Sequence, residues 1–208
     1  LSDLAYDTLA PVQWPVRSLA DGDHPGTGRA DRRLFADGRF YTPSGKARLV
    51  AVASPPVAPA DDLFVLNTGR IRDHWHTLTR TGLSPRLSAH LAEPFAEIHP
   101  DDARRLGVSE AGLLRVATDR GAILVRALVT DRVRPGSLFV PMHWTDRFAS
   151  AARVDVLVPA DTDPISGQPG SKAAAVRTEA YRPAWYGFAV LADRPKAVDA
   201  AYWALARV

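Results

Sequence analysis

The stretch Leu113-Leu114-Arg115-Val116-Ala117-Thr118-Asp119-Arg120-Gly121-Ala122-Ile123-Leu124-Val125-Arg126-Ala127-Leu128-Val129-Thr130 decides the fold class. Leu113 to Thr118 alternates in part, and Asp119-Arg120-Gly121 is a turn signal. From Ala122 onward Ile123, Val125, Ala127 and Val129 share one face while Leu124, Arg126 and Leu128 share the other. A period of two on both sides of a turn is the pattern of a β-hairpin.

The same texture extends outward. On the N-terminal side, Leu63-Phe64-Val65-Leu66 is an apolar run of strand length, ending in Asn67-Thr68-Gly69-Arg70. Phe95-Ala96-Glu97-Ile98 reads as another strand. His99-Pro100-Asp101-Asp102 then opens a helix of about two turns, with Pro at its first position and two acids favouring its dipole, and Gly107 closes it. His99 is expected to pack against or cap this helix. On the C-terminal side, Arg134-Pro135-Gly136 turns the chain into Ser137 to Pro141, and Ala173 to Thr178 supplies a last strand after a loop-rich stretch. About five strands around one short helix, with a sixth beyond, predict a mainly β fold with short helices. Closure into a small barrel removes the strand edges.

The remaining chain divides around this block. Ser54 to Ala60 holds three prolines and no charge, which predicts a linker and gives boundaries at 1–60, 61–180 and 181–208. Within the first segment, Arg33-Leu34-Phe35 and Arg39-Phe40-Tyr41 flank Asp37-Gly38 and predict a second hairpin. Ala47 to Ala53 predicts an extended run. The last segment carries Trp185, Tyr186, Phe188, Tyr202 and Trp203, which need something to pack against.

Composition narrows the chemistry. The 208 residues are 46% hydrophobic and 24% charged, as expected of a globular protein rather than a disordered one. Cysteine is absent, so the chain holds no disulfide, thiolate zinc site, iron–sulfur cluster or Cys nucleophile of its own. No apolar run approaches the roughly 18 residues that cross a bilayer, and the N-terminus lacks the order of a signal peptide. The first residue is Leu1 and the only methionine is Met142, which reads as a processed protein or a piece of a longer one. The net charge of +3 is too small to point to nucleic acid, and only Lys46, Lys172 and Lys196 are lysines among 26 basic residues. That bias suits anion recognition, and a GC-rich genome produces it as well.

The densest functional signal is Thr68-Gly69-Arg70-Ile71-Arg72-Asp73-His74-Trp75-His76-Thr77, directly after a strand. Glycine allows a sharp turn and close backbone approach, free N–H groups cradle an anion, and Arg70 or Arg72 adds forked bonds. A basic surface loop with Trp75 tucked into the core gives the same pattern. His74 and His76 lack a third ligand at zinc spacing, so no metal site is assigned. His143 and Trp144 follow a strand, where Trp could stack on a planar ring and His could hydrogen-bond it, or both could simply anchor the loop. Asp163-Pro164-Ile165-Ser166-Gly167-Gln168-Pro169-Gly170-Ser171-Lys172 offers Lys172 to a phosphate, although a solvated loop looks alike. No P-loop, dinucleotide fingerprint or Ser-His-Asp order is present. The residues alone reach an anion-binding β-barrel.

Asn67 to Thr77, Thr79-Arg80-Thr81-Gly82, Glu97 to Ala103, Val140-Pro141-Met142-His143-Trp144-Thr145-Asp146 and Asp163 to Lys172 together resemble a known domain. It is the C-terminal molybdopterin-dinucleotide-binding domain of molybdenum oxidoreductases related to dimethyl sulfoxide reductase. Gln13-Trp14-Pro15 and Arg33 to Pro43 make the sequence most similar to bacterial assimilatory nitrate reductase catalytic subunits. The resemblance implies a six-stranded double-psi, aspartate decarboxylase-like barrel at the end of a longer subunit, with the tail starting a further extension. It implies cofactor contacts from Thr68, Gly69, Arg70, Ile71, Arg72, Asp73, His74, Trp75, His76, Thr77, His143, Gln168 and Lys172. Met142 would face the substrate, and Ser150 stands where relatives carry Asn. The implied cofactor is molybdenum bis(molybdopterin guanine dinucleotide), and a 4Fe-4S cluster would sit elsewhere in the full enzyme.

The implied reaction is reduction of nitrate to nitrite. This chain would hold no catalytic residue and no metal ligand, and would be inactive alone. Implied partners are earlier domains of the same subunit, an electron-donating reductase subunit, ferredoxin or flavoprotein, and nitrate, with no nucleic acid and no membrane, in the cytoplasm. The alternatives are the same domain of another family member, such as a formate dehydrogenase, and a stand-alone barrel that binds partners without redox work.

Overall fold

The computed structural model describes residues 35–51, 62–164, 166–193, 195 and 198–207. The chain divides into two compact units, 1–55 and 56–208. In the first, Gly38 N–H donates to Phe35 O at 2.9 Å, Phe35 and Phe40 stack, and no strand forms among the described residues. The expected hairpin is therefore corrected to a turn. Its positive φ angles fall on Phe35 and Gly38, while Asp37 instead accepts the Arg39 N–H. A two-residue hairpin turn of the type that aligns strands needs φ > 0 at both central residues. Residues 47–51 also form no strand, and Leu49 and Val50 are exposed. Arg33, Leu34, Val52 and Ala53 lie outside the described residues.

The second unit holds a closed six-stranded barrel with few short helices, as expected. Its strands are β1 (Phe64–Gly69), β2 (Phe95–Ile98), β3 (Leu113–Ala117), β4 (Ala122–Val129), β5 (Ser137–Pro141) and β6 (Ala174–Tyr181). Around the barrel the order is β1-β5-β2-β4-β3-β6, so each strand has two partners and no edge is left open. β3 and β4 pair antiparallel from Leu113↔Arg126 to Ala117↔Ala122, and Thr118 N–H bonds Gly121 O across the turn. β1 runs parallel to β5 and β2 parallel to β4. The connection from β1 to β2, residues 70–94, passes β5, which lies between the two strands, and carries the short helix α1 (Pro85–Ser88) and most of the site.

Alternation puts Phe64 and Leu66 of β1, Leu114 and Val116 of β3, and Ile123 and Val125 of β4 into one core with Ile98, Leu138, Val140 and Val176. Leu124, on the other face of β4, is buried as well, because residues 151–157 cover it and its N–H reaches Ala151 O. The helix α2 (Pro100–Leu106) begins at His99, whose Nδ1 accepts the Asp101 N–H, and ends at Gly107 with φ 64°. His99 is thus a cap, as read from the sequence. Asp102 of α2 does more than favour the dipole. Its buried carboxylate accepts Gly136 N–H at 2.7 Å and Arg105 at 3.0 Å, tying the helix to the turn before β5.

Candidate functional site

Because β1 and β5 are parallel and in register from Val65↔Ser137 to Gly69↔Pro141, their following loops leave the barrel at the same end. Met142 N–H donates to Gly69 O at 2.9 Å and starts the second loop beside the first. His143 then turns inward and is completely buried. Its Nε2 accepts the Ile71 N–H at 2.9 Å and its Nδ1 donates to His76 O at 2.6 Å, since a carbonyl can only accept. The two bonds set a neutral imidazole with the proton on Nδ1. Together they pin both feet of the segment 71–76, which becomes an arch above the ring. Burial pushes the His143 pKa down, the bond to His76 O opposes, and His74, Arg70 and His76 depress it further.

His74, inside the arch, is also buried, with its ring edge-on to Trp144 and its nitrogens 3.3 Å from Thr81 Oγ1 and 3.4 Å from Leu91 O. Its pKa is lowered, by burial first. Among the described residues no group of His, Asp and Glu is placed to hold a metal ion.

On the outer side of the arch the charge is positive. The Arg70 guanidinium lies 5.9 Å from the centre of the Trp75 ring, which is 53% exposed, so Trp75 is not tucked into the core. His76 (φ 43°) and Leu78 (φ 62°) adopt left-handed backbone, which bends the segment and costs conformational energy that surrounding contacts must offset. Arg72 is committed differently. It forks onto Asp73 at 2.9 and 3.1 Å, and Asp73 also takes His90 at 2.6 Å. The Arg72 bond first and the His90 bond second hold the Asp73 carboxyl down at about 2. The N–H groups of Arg72, Asp73, His76 and Thr77 take no partner among the described residues.

The loop before β6 meets the base of the arch. Thr68 Oγ1 donates to Ser171 O at 3.1 Å and Lys172 Nζ donates to Thr68 O. A Cβ on Gly69 would come within 2.9 Å of the Phe139 ring and 3.8 Å of Lys172 Nζ, so glycine keeps this face clear. Beside it an open cleft of about 590 Å³ is lined by Asn67, Thr68, Gly69, Phe139, Arg134 and Lys172. Gln168 is exposed at the base of a turn in which Asp163 N–H bonds Gln168 O at 2.9 Å and the Asp163 carboxylate accepts Ser166 N–H and Oγ–H.

The structure thus gathers Thr68 to Thr77, Met142, His143 and Lys172 at one end of the barrel. Three sequence expectations change in kind. His143 has no free nitrogen for a ligand and shapes the arch instead. Trp144 is buried against Phe95 and His74, so it cannot stack on an incoming ring. Ser150 spends its hydroxyl on the tail, accepting the Trp203 N–H at 2.7 Å. Sequence reading missed Thr81, Leu91 and His90 as supports of the arch, and no spacing rule marks them.

Residues 64–175 match the family model for the molydopterin dinucleotide binding domain. A nitrate reductase of Klebsiella oxytoca is 46% identical over 192 residues, covering 90% of this chain and 21% of that protein. The assimilatory nitrate reductase catalytic subunit of Bacillus subtilis is 36% identical over 184 residues, covering 85% and 24%. The F420-dependent formate dehydrogenase subunit alpha of Methanocaldococcus jannaschii is 32% identical over 171 residues, covering 81% and 24%. The chain spans about a fifth to a quarter of the length of these relatives. With the family model matched over more than half its length and the arch built from that same segment, the chain belongs to the molybdopterin-dinucleotide-binding domain family.

Proposed function

We propose that this chain clasps a molybdopterin guanine dinucleotide as part of an assimilatory nitrate reductase catalytic subunit. The observation that carries the reading is the arch pinned by a buried His143: the N–H groups of Arg72, Asp73, His76 and Thr77 take no partner among the described residues, and an exposed Arg70 and Lys172, held by Thr68 O, lie beside them. These residues fit a diphosphate-bearing group. Free amides and two cations complement its oxygens, Gly69 leaves room for close approach, and the half-exposed Trp75 ring lies beside Arg70. Arg72 is already neutralised by Asp73, so Arg70 and Lys172 carry the charge pairing.

When bound, the molybdenum group supplies oxygen-atom transfer, by which nitrate takes two electrons and two protons and leaves as nitrite and water. This chain's residues bind and orient. Arg70, Lys172 and the arch amides hold the dinucleotide, and the exposed Met142 side chain borders the approach to it. With no cysteine here, a 4Fe-4S cluster and the entry of electrons belong to other domains and to a donor subunit or carrier protein. A cytoplasmic location goes with the assimilatory reading.

Titrating the protein with guanosine diphosphate while following backbone amide resonances tests the site. Saturable shifts confined to 68–77 and 172, weakened at least tenfold in Arg70→Ala and Lys172→Ala, are expected; shifts elsewhere would sink the assignment. Molybdenum assay and turnover of the native polypeptide test the enzyme reading. The relative from Methanocaldococcus jannaschii favours formate as the second reading, and oxidation of formate without reduction of nitrate would select it.

A further inference from the structure

After β6 the chain runs through exposed Trp185, Tyr186 and Phe188 and then returns to the loop that carries His143. Ser150 N–H donates to Trp203 O at 2.9 Å, Trp203 N–H donates to Ser150 Oγ at 2.7 Å, and Leu205 N–H donates to Phe148 O at 2.8 Å. Ala149 and Ala204 face each other as an antiparallel rung. A side-chain clamp lies one residue before. Tyr202 Oη donates to Glu93 at 2.6 Å, Arg126 bonds the same carboxylate oxygen at 2.8 Å, and the Arg126 guanidinium lies 5.1 Å from the centre of the Tyr202 ring.

None of these bonds belongs to the barrel ladder, which closes through β6 and β1 without the tail. What they hold is the far end of the loop 142–150. Its near end holds the arch through His143. Its far end holds the arch a second way, because the Phe148 ring sits where a Cβ on Gly82 would be 2.7 Å away, and Gly82 N–H bonds Leu78 O at the arch's C-terminal foot. One loop therefore supports both feet, and the tail fastens that loop.

We propose that residues 201–205 form a strap that positions the arch 71–78, with Ser150 and Tyr202 as positioning residues for the ligand-bearing end of the barrel. The strap is fastened by a few bonds at half-exposed residues, so it can be released without unfolding the barrel. Its bearing on nucleotide affinity rests on the function proposed above, whereas its bearing on the shape of the arch does not.

Amide hydrogen exchange and nitrogen-15 imidazole spectra of the ligand-free protein test this in Ser150→Ala, Tyr202→Phe and the double variant. In the double variant, exchange at Trp203, Ile71 and Gly82 should rise about tenfold or more while Val116 and Val125 stay unchanged. His143 should lose its single Nδ1–H tautomer, and Ser150→Thr, which keeps the hydroxyl, should restore the wild-type spectrum. Guanosine diphosphate affinity should fall about tenfold in parallel. Release of Trp203 with unchanged Ile71, Gly82 and His143 would overturn the strap, and continued protection of Trp203 would overturn the assignment of Ser150 and Tyr202. If the wild-type protein binds no nucleotide, the function reading fails while the exchange data still decide the strap.

Discussion

The arch 71–76 and the turn 163–168 leave the same unit of the protein and are built in opposite ways. The turn closes on itself: the Asp163 carboxylate accepts from Ser166 three residues away, Asp163 N–H donates to Gln168 O, and Gly167 takes φ 70°. The arch depends on groups outside itself. It is pinned by His143, 72 residues from Ile71 and 67 from His76 in sequence, and propped by Thr81 and Leu91. A locally closed turn keeps its shape when its surroundings loosen, whereas a remotely pinned arch keeps its shape only while the core beneath it is intact.

His143→Ala is the hardest test of that contrast. It empties a fully enclosed volume and leaves the Ile71 N–H and His76 carbonyl unpaired, so unfolding stability should fall by about 2–4 kcal/mol, measured by urea denaturation. A loss below 1 kcal/mol would mean that the ring fills space without holding the arch.

Gly82→Ala comes next. Its new Cβ would meet the Phe148 ring at 2.7 Å and Leu78 Cβ at 3.0 Å, and overpacking should cost about 1–3 kcal/mol and shift the arch resonances. Unchanged resonances at 71–78 would separate this foot from the arch.

Asp163→Ala should cost no more than about 1 kcal/mol, with resonance changes confined to the turn. A cost equal to that of His143→Ala would erase the difference between the two loops.

The smallest effect near neutrality is on pH. His143 and His74 have folded-state pKa values below the ordinary 6.5, because burial disfavours the imidazolium. The unfolded chain therefore binds more protons, and stability falls as pH drops below about 6.5 toward the folded-state values. The groups facing His143 are His74, His76 and Arg70, with no carboxylate among them to favour its charge. Asp73 acts in a lower window: its contribution is complete above about pH 4 and is lost as pH falls toward 2. Thermal scans from pH 7.5 to 5 should show arch amides loosening before those of the turn, and a flat profile would contradict the buried neutral pair.

Much of this was legible from local pattern. Period-two alternation found β3 and β4, apolar runs found β1 and, after the Arg134-Pro135-Gly136 turn, β5, and the His99-Pro100 start with Gly107 bounded α2 within a residue or two. The Asp37-Gly38 hairpin failed because a dipeptide licenses a turn without guaranteeing the φ angles that align two strands. The site segment Thr68 to Thr77 was visible by composition and resemblance, but the jobs within it were not. Arg72 looks as available as Arg70 until Asp73 and His90 are seen to occupy it. His143 and Trp144 look like ligand contacts until burial turns them into foundations.

The sequence by itself determined the strand inventory, the absence of any cysteine-based centre and the basic, glycine-containing segment at the end of β1, because those depend on residue type and near-neighbour spacing. Only the tertiary structure decided which histidine holds the arch, which arginine stays free and that the tail fastens the loop at Ser150. The first and last hang on burial and on hydrogen bonds between groups tens of residues apart, and the second on the side-chain conformation that folds Arg72 onto Asp73; short-range periodicity encodes none of these.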